Sequence, residues 1–518
     1  MRIFTFMRPL YIYICLEVFF ISYFLIYNMI NLLFVFLSLC EVRRKVIGRG
    51  FDDLDFIMDS PFTPPISIIV PCYNEDKTIV ATINSLSQVK FPRSELIVVN
   101  DGSTDETLEV VKKAFQLERI DIDYLNQITT APIKGCYETK TLPSEHIFRF
   151  VLVDKENGGK ADALNAGINA SRCPYFLSMD ADSIIDKAAL LQAFRAILDH
   201  KEIGVIGGRV AIVNGCEVRD GKVINFGLPK SWLARFQIAE YLRSFTVGRT
   251  ALARLQSLLI ISGVFSIFEK ELVQKIGGYL TKHLTSKIAL EYTGSKAETV
   301  CEDMEIIVRM QRYIQEKKIR KRISYLPHPL CWTEAPENLT DLAKQRNRWQ
   351  RGFIETFIYH RKMLFNKNYK VMGLFALPYF FLFEFLGAPI EFLGYITLPV
   401  LFFLDGMNYP YVIIFFIVSV LLGSLNSVFS IIVSAWPEKT TETKINLKSL
   451  VDFNNIKEII IILVFGIMEN FGYRQLNVWW RIKGWLDFFK GKREWDKFDR
   501  IGFESEPKRP EEETIEVA

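Results

Sequence analysis

The sequence predicts a parallel α/β domain inserted between apolar segments long enough to cross a lipid bilayer. Three observations carry this. Short β-branched runs alternate with helical patterns between residues 60 and 355, the pattern of strands joined by crossover helices. Acidic or glycine-rich turns follow these runs, on the side of a parallel sheet where ligands bind. Unbroken apolar stretches flank the block on both sides. The chain therefore divides into an N-terminal membrane segment with a basic flank (1–50), the α/β domain (60–355), a C-terminal membrane region (356–475) and a basic amphipathic tail (476–518).

Residues 9–40 are apolar apart from Glu17 and small polar side chains, and exceed the roughly 20 residues that span a bilayer. Arg43, Arg44, Lys45 and Arg49 follow at once. The positive-inside rule puts that flank, and with it the α/β domain, in the cytoplasm; Arg2 and Arg8 pull weakly the other way. The eight cysteines include no CxxC pair, so neither a zinc ribbon nor a disulfide framework is expected. Five dispersed histidines argue against a histidine metal centre, and a net charge of +4 over 518 residues gives no field for nucleic acid.

Within the domain, residues 66–70 read as a buried strand ending in Pro71-Cys72-Tyr73-Asn74-Glu75, with a helix beginning near Lys77. Residues 95–99 form a second strand, ending in Asn100-Asp101-Gly102-Ser103-Thr104-Asp105. Ser103 or Thr104 is placed to cap a helix over 106–115. Residues 117–147 show little periodicity and read as a loop insertion. The apolar run 148–153 leads to Gly158-Gly159, a pair free to adopt backbone angles other residues resist, and a helical pattern starts at Lys160. A further strand, 175–179, ends in Asp180-Ala181-Asp182. Carboxylates at i and i+2 past a strand end can reach one divalent cation and the diphosphate it carries; magnesium and manganese favour such oxygens, with substrate phosphates completing the shell. Lys160 adds positive charge for the same phosphates. A lone Asp-x-Asp is commonly a solvated turn, but its place after a strand and beside Gly-Gly-Lys favours the ligand reading. Asp101, Asp180 and Asp182 all stand at strand ends and are expected to converge.

Residues 225–262 interleave Trp232, Phe236, Tyr241 and Phe245 with Arg235, Arg243, Arg249 and Arg254. This fits a helix lying on the inner membrane surface and equally an ordinary core-facing helix. Residues 262–268 return as a strand, and Gly277-Gly278 turns the chain. Glu302-Asp303 opens a helix over 304–314, where the helix dipole favours carboxylates; capping and catalysis are compatible there. Residues 327–336 are extended, and a helix over 339–353 puts Gln345, Arg348 and Trp349 on one face. Trp349 suits a sugar ring or a membrane interface.

Apolar stretches at 371–404, 411–436 and 456–471 follow. A cytoplasmic domain and a cytoplasmic tail need an even number of crossings between them. Four, with 371–404 crossing twice, is favoured over three segments of which one is re-entrant. Glu384, Glu391 and Glu469 lie in apolar surroundings, where a carboxylate usually faces the bundle interior or a wet path; the wall of a sugar channel and plain structural bonding both remain open. Arg474, Arg481, Lys483, Lys490, Lys492 and Arg493 alternate with Trp479, Trp480 and Trp485, as in a helix on the cytoplasmic leaflet.

Val-Pro-Cys-Tyr-Asn-Glu, Val-Asn-Asp-Gly-Ser-Thr-Asp and the Gly-Gly-Lys-Ala-Asp-Ala-Leu-Asn block ending in Asp-Ala-Asp resemble family 2 of the glycosyltransferases. The resemblance covers roughly residues 62–355 and implies the GT-A fold, a nucleotide-diphospho-sugar transferase domain here set between transmembrane helices. Glu302-Asp303 fits the family's Thr-Glu-Asp motif, with Cys301 in place of threonine, and Gln345-Arg346-Asn347-Arg348-Trp349 fits its QxxRW motif. QxxRW marks the processive membrane branch that holds the cellulose, hyaluronan and poly-N-acetylglucosamine synthases.

The resemblance implies an inverting transfer from a UDP-sugar to a growing β-linked polysaccharide, coupled to export. It assigns Asp303 as the base, with Glu302 beside it. Asp182 is implied as the ligand of Mg2+ or Mn2+, with Asp180 assisting or contacting the ribose. Asp101 goes to the uridine end, with Tyr73 and Glu75 flanking the base. Lys160, Gln345 and Arg348 go to the donor phosphates and Trp349 to the acceptor sugar. The expected protein is multi-pass in the inner membrane, with its catalytic domain cytoplasmic, in contact with membrane lipid, served by periplasmic or cell-surface export proteins and independent of nucleic acid. The stretch after the last apolar segment is too short for a regulatory β-barrel, so control by a cyclic dinucleotide is not expected. The rival enzyme reading is a single transfer to a lipid or short oligosaccharide, which product length separates. A scaffold with a silent domain would show a decayed motif, whereas Asp101, Asp182, Asp303 and Trp349 are all present.

Overall fold

A computed structural model describes residues 2–48, 54–121, 126–219, 221–294, 298–403, 409–435 and 456–492; Arg49, Trp436 and the tail from Arg493 to 518 lie outside the described residues. The β-branched runs form strands as expected. They are β1 (Ile66–Cys72), β2 (Ser94–Asp101), β3 (Glu118–Ile120), β4 (Ile133–Glu138), β5 (Ile147–Lys155), β6 (Tyr175–Ser178), β7 (Ile184–Ile185), β8 (Ile203–Ile212), β9 (Glu217–Arg219), β10 (Lys222–Asn225), β11 (Ser266–Glu269) and β12 (Arg322–Thr333). Ten of them make one mixed sheet in the order β3-β4-β5-β2-β1-β6-β11-β8-β12-β7, and β9 and β10 form a separate hairpin. The heart of the sheet, β5-β2-β1-β6, is parallel. β1 and β2 are buried along their whole length, as expected of parallel strands covered on both faces. Alternate residues divide between the two faces: Ile69, Ile97 and Val151 join one apolar cluster, Ile68, Leu96 and Leu152 the other.

The helix Lys160–Ala170 lies across β1 and β2. Gly167 permits this approach, since a Cβ there would stand 2.3 Å from Ile69 Cγ2. Gly159, at φ +88°, makes the turn into that helix, a backbone angle that suits glycine.

Two local expectations are corrected. Residues 117–147 are not a structureless loop. β4 extends the sheet antiparallel to β5, with Cys136 opposite Val153, and β3 pairs antiparallel with β4. An edge hairpin half open to water carries no apolar run, so periodicity missed it. Ser103 and Thr104 do not cap the next helix, which spans Thr107–Ala114. Asp105 Oδ1 accepts from the Thr107 N–H at 3.0 Å instead, while Ser103 Oγ accepts from the Asn74 N–H at 3.0 Å. The hydroxyl ties the turn after β2 to the turn after β1.

The 225–262 segment forms helix Trp232–Tyr241, a π-helical turn Leu242–Gly248 and helix Arg249–Arg254. It packs against the N-terminal helix Arg2–Gly48 and the helices Leu422–Ser434 and Ile456–Met468, so its apolar side meets protein.

Two helices, Tyr13–Arg43 and Tyr409–Ser434, are long and apolar enough to cross a membrane; the pair Met372–Phe385 and Gly387–Thr397, bent by 41°, makes a third if it is one span. Between the α/β domain and the tail, the described helices thus offer one or two candidate crossings, against the four that the sequence favoured there. A second crossing of 371–404 needs a reversal, and a π-helical turn at Phe381–Phe385 followed by Pro389 only bends the chain. Ile456–Met468, with 13 residues, rises ~20 Å, short of a hydrocarbon core of ~30 Å.

The tail helix Tyr473–Phe489 packs on protein along one side. It lies along the helix Leu339–Tyr359, where Asn347 donates to Asp487 Oδ2 at 2.8 Å and Arg481 to Gln350 Oε1 at 2.8 Å. Trp480 is buried in this contact while Trp479 is exposed. The basic residues nearest its start turn inward to carboxylates, described below.

Candidate active site

The carboxyl ends of β1, β2, β5 and β6 open into a cavity of about 1200 Å³, and every residue that the sequence assigned to the site lines it. These are Tyr73, Glu75, Asp101, Lys160, Asp180, Asp182, Glu302, Asp303, Gln345, Arg348 and Trp349.

Lys160 stands at the centre. It is the first residue of its helix, so the Gly158-Gly159 turn fixes where its stem begins. Its ammonium lies 2.5 Å from Asp180 Oδ1 and 3.0 Å from Glu302 Oε1. Burial, which alone would lower its pKa, is outweighed by those two carboxylates, and the lysine is held firmly charged. The same ion pair overcomes burial at Glu302 and keeps its carboxyl below the usual range.

Asp303 opens the helix Glu302–Glu316. Its Oδ1 accepts from the Met304 N–H at 2.9 Å and its Oδ2 from the Gly263 N–H at 3.3 Å. It occupies the first helical turn without being the cap, a position held by Cys301, whose side chain makes no capping bond. Burial and the neighbouring Glu302 charge push its pKa up to about 6, against the opposing pull of Lys160, Arg249 and Arg348. A carboxyl poised there can accept a proton near neutral pH. Cys301, where the family motif has threonine, is buried, with its thiol pushed well above the usual range by burial. Its Sγ faces the Arg348 carbonyl at 3.9 Å. Gly352 makes room for it, since a Cβ there would be 2.4 Å from that sulfur.

Trp349 carries the Arg346 guanidinium over its ring at 4.5 Å and packs beside Tyr241 and Phe245. Arg346 itself forks onto Glu240 with two bonds of 2.8 Å. At the other end Tyr73 is exposed, and the Glu75 N–H donates to Thr107 Oγ1 at 2.8 Å. Asp101 is buried; its Oδ1 contacts the Lys155 ammonium at 2.6 Å, and the Gly158 and Gly159 N–H groups donate to its two oxygens at 3.0 and 2.8 Å. Sequence reasoning missed Lys155. A lysine at a strand end reads as solvated, and only the register that sets Asp101 opposite Lys155 brings the two together.

Asp180 and Asp182 offer carboxylate oxygens on one cavity wall. Among the described residues no group of three or more His, Cys, Asp or Glu side chains could hold a metal. A donor set of two carboxylates fits Mg2+ or Mn2+ if phosphates or water supply the rest, the usual arrangement for these ions.

The cavity continues between the apolar helices. There Glu384 pairs with Arg481 at 2.9 Å, Glu391 with Arg474 at 2.8 Å, and Glu469 with Arg243 and with Ser427 Oγ, the latter at 2.7 Å. Asn426 donates to Asn28 Oδ1 at 2.8 Å, and Asn28 to the Val418 carbonyl at 2.9 Å. The three carboxylates therefore line the cavity and are structurally bonded at once.

Residues 67–130 match the model of glycosyl transferase family 2, and residues 136–352 that of glycosyltransferase like family 2. Among curated proteins, a poly-beta-1,6-N-acetyl-D-glucosamine synthase of Staphylococcus epidermidis is 27% identical over 293 residues, covering 57% of this chain and 55% of the relative. One from Staphylococcus aureus strain COL is 27% identical over 294 residues with the same shares, so the chain spans about half the length of the curated relatives it matches. Among solved structures, the mannosyltransferase PcManGT from Pyrobaculum calidifontis, in complex with GDP-Man and Mn2+, aligns over 92% of this chain and 100% of its own at a TM-score of 0.50 and 15% identity. That likeness shows a shared GT-A fold. On the family models, the chain belongs to glycosyltransferase family 2, and it is similar to polysaccharide synthases.

Proposed function

We propose that the protein transfers a sugar from a UDP-sugar, with inversion, to the end of a growing β-linked polysaccharide, and that the polymer leaves through the membrane-facing arm of the same cavity. One observation carries the reading: the carboxylate–lysine cluster and a polar, charge-paired passage between apolar helices share one continuous cavity. A single-transfer enzyme has no need of the second part. The relatives are poly-beta-1,6-N-acetyl-D-glucosamine synthases, which makes UDP-N-acetylglucosamine the donor to test first.

In this reading Asp303 accepts the proton of the attacking acceptor hydroxyl, a role its raised pKa suits. Asp101 receives the uridine end, with Tyr73 and Glu75 flanking the base. Lys160, Arg348 and Gln345 hold the diphosphate, and Lys160 keeps Asp180 and Glu302 in place. A divalent ion held by Asp182 and Asp180 would neutralise charge on the leaving diphosphate as a Lewis acid. Trp349, backed by Arg346, offers a ring for the acceptor sugar. Residues 60–355 form the catalytic unit on the cytoplasmic face of the inner membrane, with 1–50 and 356–475 around the exit path and 476–518 on the cytoplasmic side.

The test uses purified membranes, Mg2+ or Mn2+ and a panel of radiolabelled UDP-sugars, with products sized on a gel. Long material from one donor, lost in Asp303→Asn, is expected. One addition per acceptor, or lipid-extractable product, overturns the polymerase reading.

A further inference from the structure

Lys155 is completely buried, and the mechanism above gives it no task. Its ammonium contacts Asp101 Oδ1 at 2.6 Å, Asp162 Oδ1 at 2.7 Å and the Glu156 carbonyl at 2.7 Å. All three of its protons are thereby engaged. The two carboxylates it joins belong to different elements: Asp101 ends β2, and Asp162 lies in the first turn of the helix that Lys160 begins. The surplus negative charge of the trio is met by backbone. Gly158 and Gly159 donate to Asp101, and Ala131 donates to Asp162 at 3.0 Å. The turn is closed further by Asn157, which donates to the Asp101 carbonyl at 2.8 Å. Packing around it is tight, since a Cβ on Gly158 would stand 2.6 Å from Asp162 Oδ1.

A buried charge trio adds little stability over apolar side chains of the same volume, while removing one member leaves the others uncompensated. Its effect here is geometric. The same carboxylate that Lys155 grips also receives both glycine N–H groups, so the turn delivering Lys160 to Asp180 and Glu302 is clamped from both sides.

We propose that Lys155 is a positioning residue for the donor. Through Asp101 and Asp162 it fixes the Gly158-Gly159 turn, and thereby sets the affinity of the site for a nucleoside diphosphate without touching it. This rests on the donor reading given above.

The full-length protein in detergent or nanodiscs is titrated with UDP and, separately, GDP in the presence of Mn2+, by calorimetry. The double variant Lys155→Met/Asp162→Asn removes one positive and one negative charge together. It is expected to melt within a few degrees of wild type, to bind UDP about tenfold or more weakly, and to raise the donor KM by a similar factor with the acceptor KM unchanged. A purely structural role would lower the melting temperature and leave the nucleotide Kd of the folded fraction unmoved. UDP affinity within twofold of wild type in a folded variant overturns the proposal. If the double variant does not fold, Asp162→Asn decides. It keeps the lysine and its grip on Asp101, and a threefold or greater loss of UDP affinity supports the proposal, while an unchanged Kd overturns it. A wild-type protein that binds neither nucleotide overturns the donor reading itself, and this inference with it.

Discussion

The two ends of the cavity handle charge in opposite ways. At the sheet end, carboxylates outnumber the ammonium they share: Lys160 contacts both Asp180 and Glu302, and Asp303 sits beside them with a raised pKa. At the membrane end, Glu384, Glu391 and Glu469 each have their own arginine. Shared charge leaves a group poised to change protonation, which chemistry requires. One-to-one pairing leaves a wall that is polar but neutral. The pairs on the tail helix also have a regular origin. Glu384 and Glu391 stand seven residues apart, as do Arg474 and Arg481, and the two helices meet in antiparallel order, Glu384 with Arg481 and Glu391 with Arg474.

Several substitutions break this contrast, beginning with the most damaging. Asp303→Asn removes the only role at the sheet end that demands a proton acceptor. Sugar incorporation into polymer is expected to drop about 10³-fold, with UDP affinity changed by less than about threefold, measured by radiolabel incorporation and calorimetry. Lys160→Met leaves Asp180 and Glu302 facing each other without their shared cation. A fall of about 10²-fold in kcat/KM for the donor is expected. Because Lys160 pulls the Asp303 pKa down, its loss moves the acid limb of the pH profile to higher pH, an effect visible in residual activity.

In the wild-type protein that limb follows from Asp303 directly. Its active form is the carboxylate, so kcat/KM is expected to fall about tenfold per unit below a pH of about 6. At the membrane end the readout changes. Glu391→Gln deprives Arg474 of a two-bond partner, at a cost of about 1–3 kcal/mol. A lower melting temperature and shorter products are expected, with the initial transfer rate held within about twofold, and the swap Glu391→Arg/Arg474→Glu is expected to recover part of the length. Outside both ends, Arg219→Ala removes an exposed pair with Glu217 on the β9–β10 hairpin. It is expected to shift stability by less than about 0.5 kcal/mol and leave activity unchanged in the same assays.

Much of the site was legible along the chain because its residues fall where strands end. β1, β2 and β6 could be read from apolar runs, and Asp101, Asp180 and Asp182 follow such runs directly. The helix over 339–353 was legible too, though it runs on to Tyr359, and with it the common face of Gln345, Arg348 and Trp349. What escaped was structure whose signal is not local. β3 and β4 lack an apolar run because water covers part of their surface. Asp105 replaced Ser103 and Thr104 at the helix start because those side chains were recruited by Asn74 on another strand's turn. The partners of Arg474 and Arg481 on the tail helix escaped too, since its sequence cannot reveal that Glu391 and Glu384 wait across the interface.

The parallel core, the order of the motifs, the family and the carboxylates at strand ends are written locally along the chain, because apolar periodicity and turn residues report local backbone preference. Tertiary structure decided how charge is divided. It set Lys160 between two carboxylates, Lys155 against Asp101 and an arginine against each of Glu384, Glu391 and Glu469. Such pairing depends on which element ends meet and in what register, and the strength of each contact grows as water is excluded, a condition that only the folded chain creates.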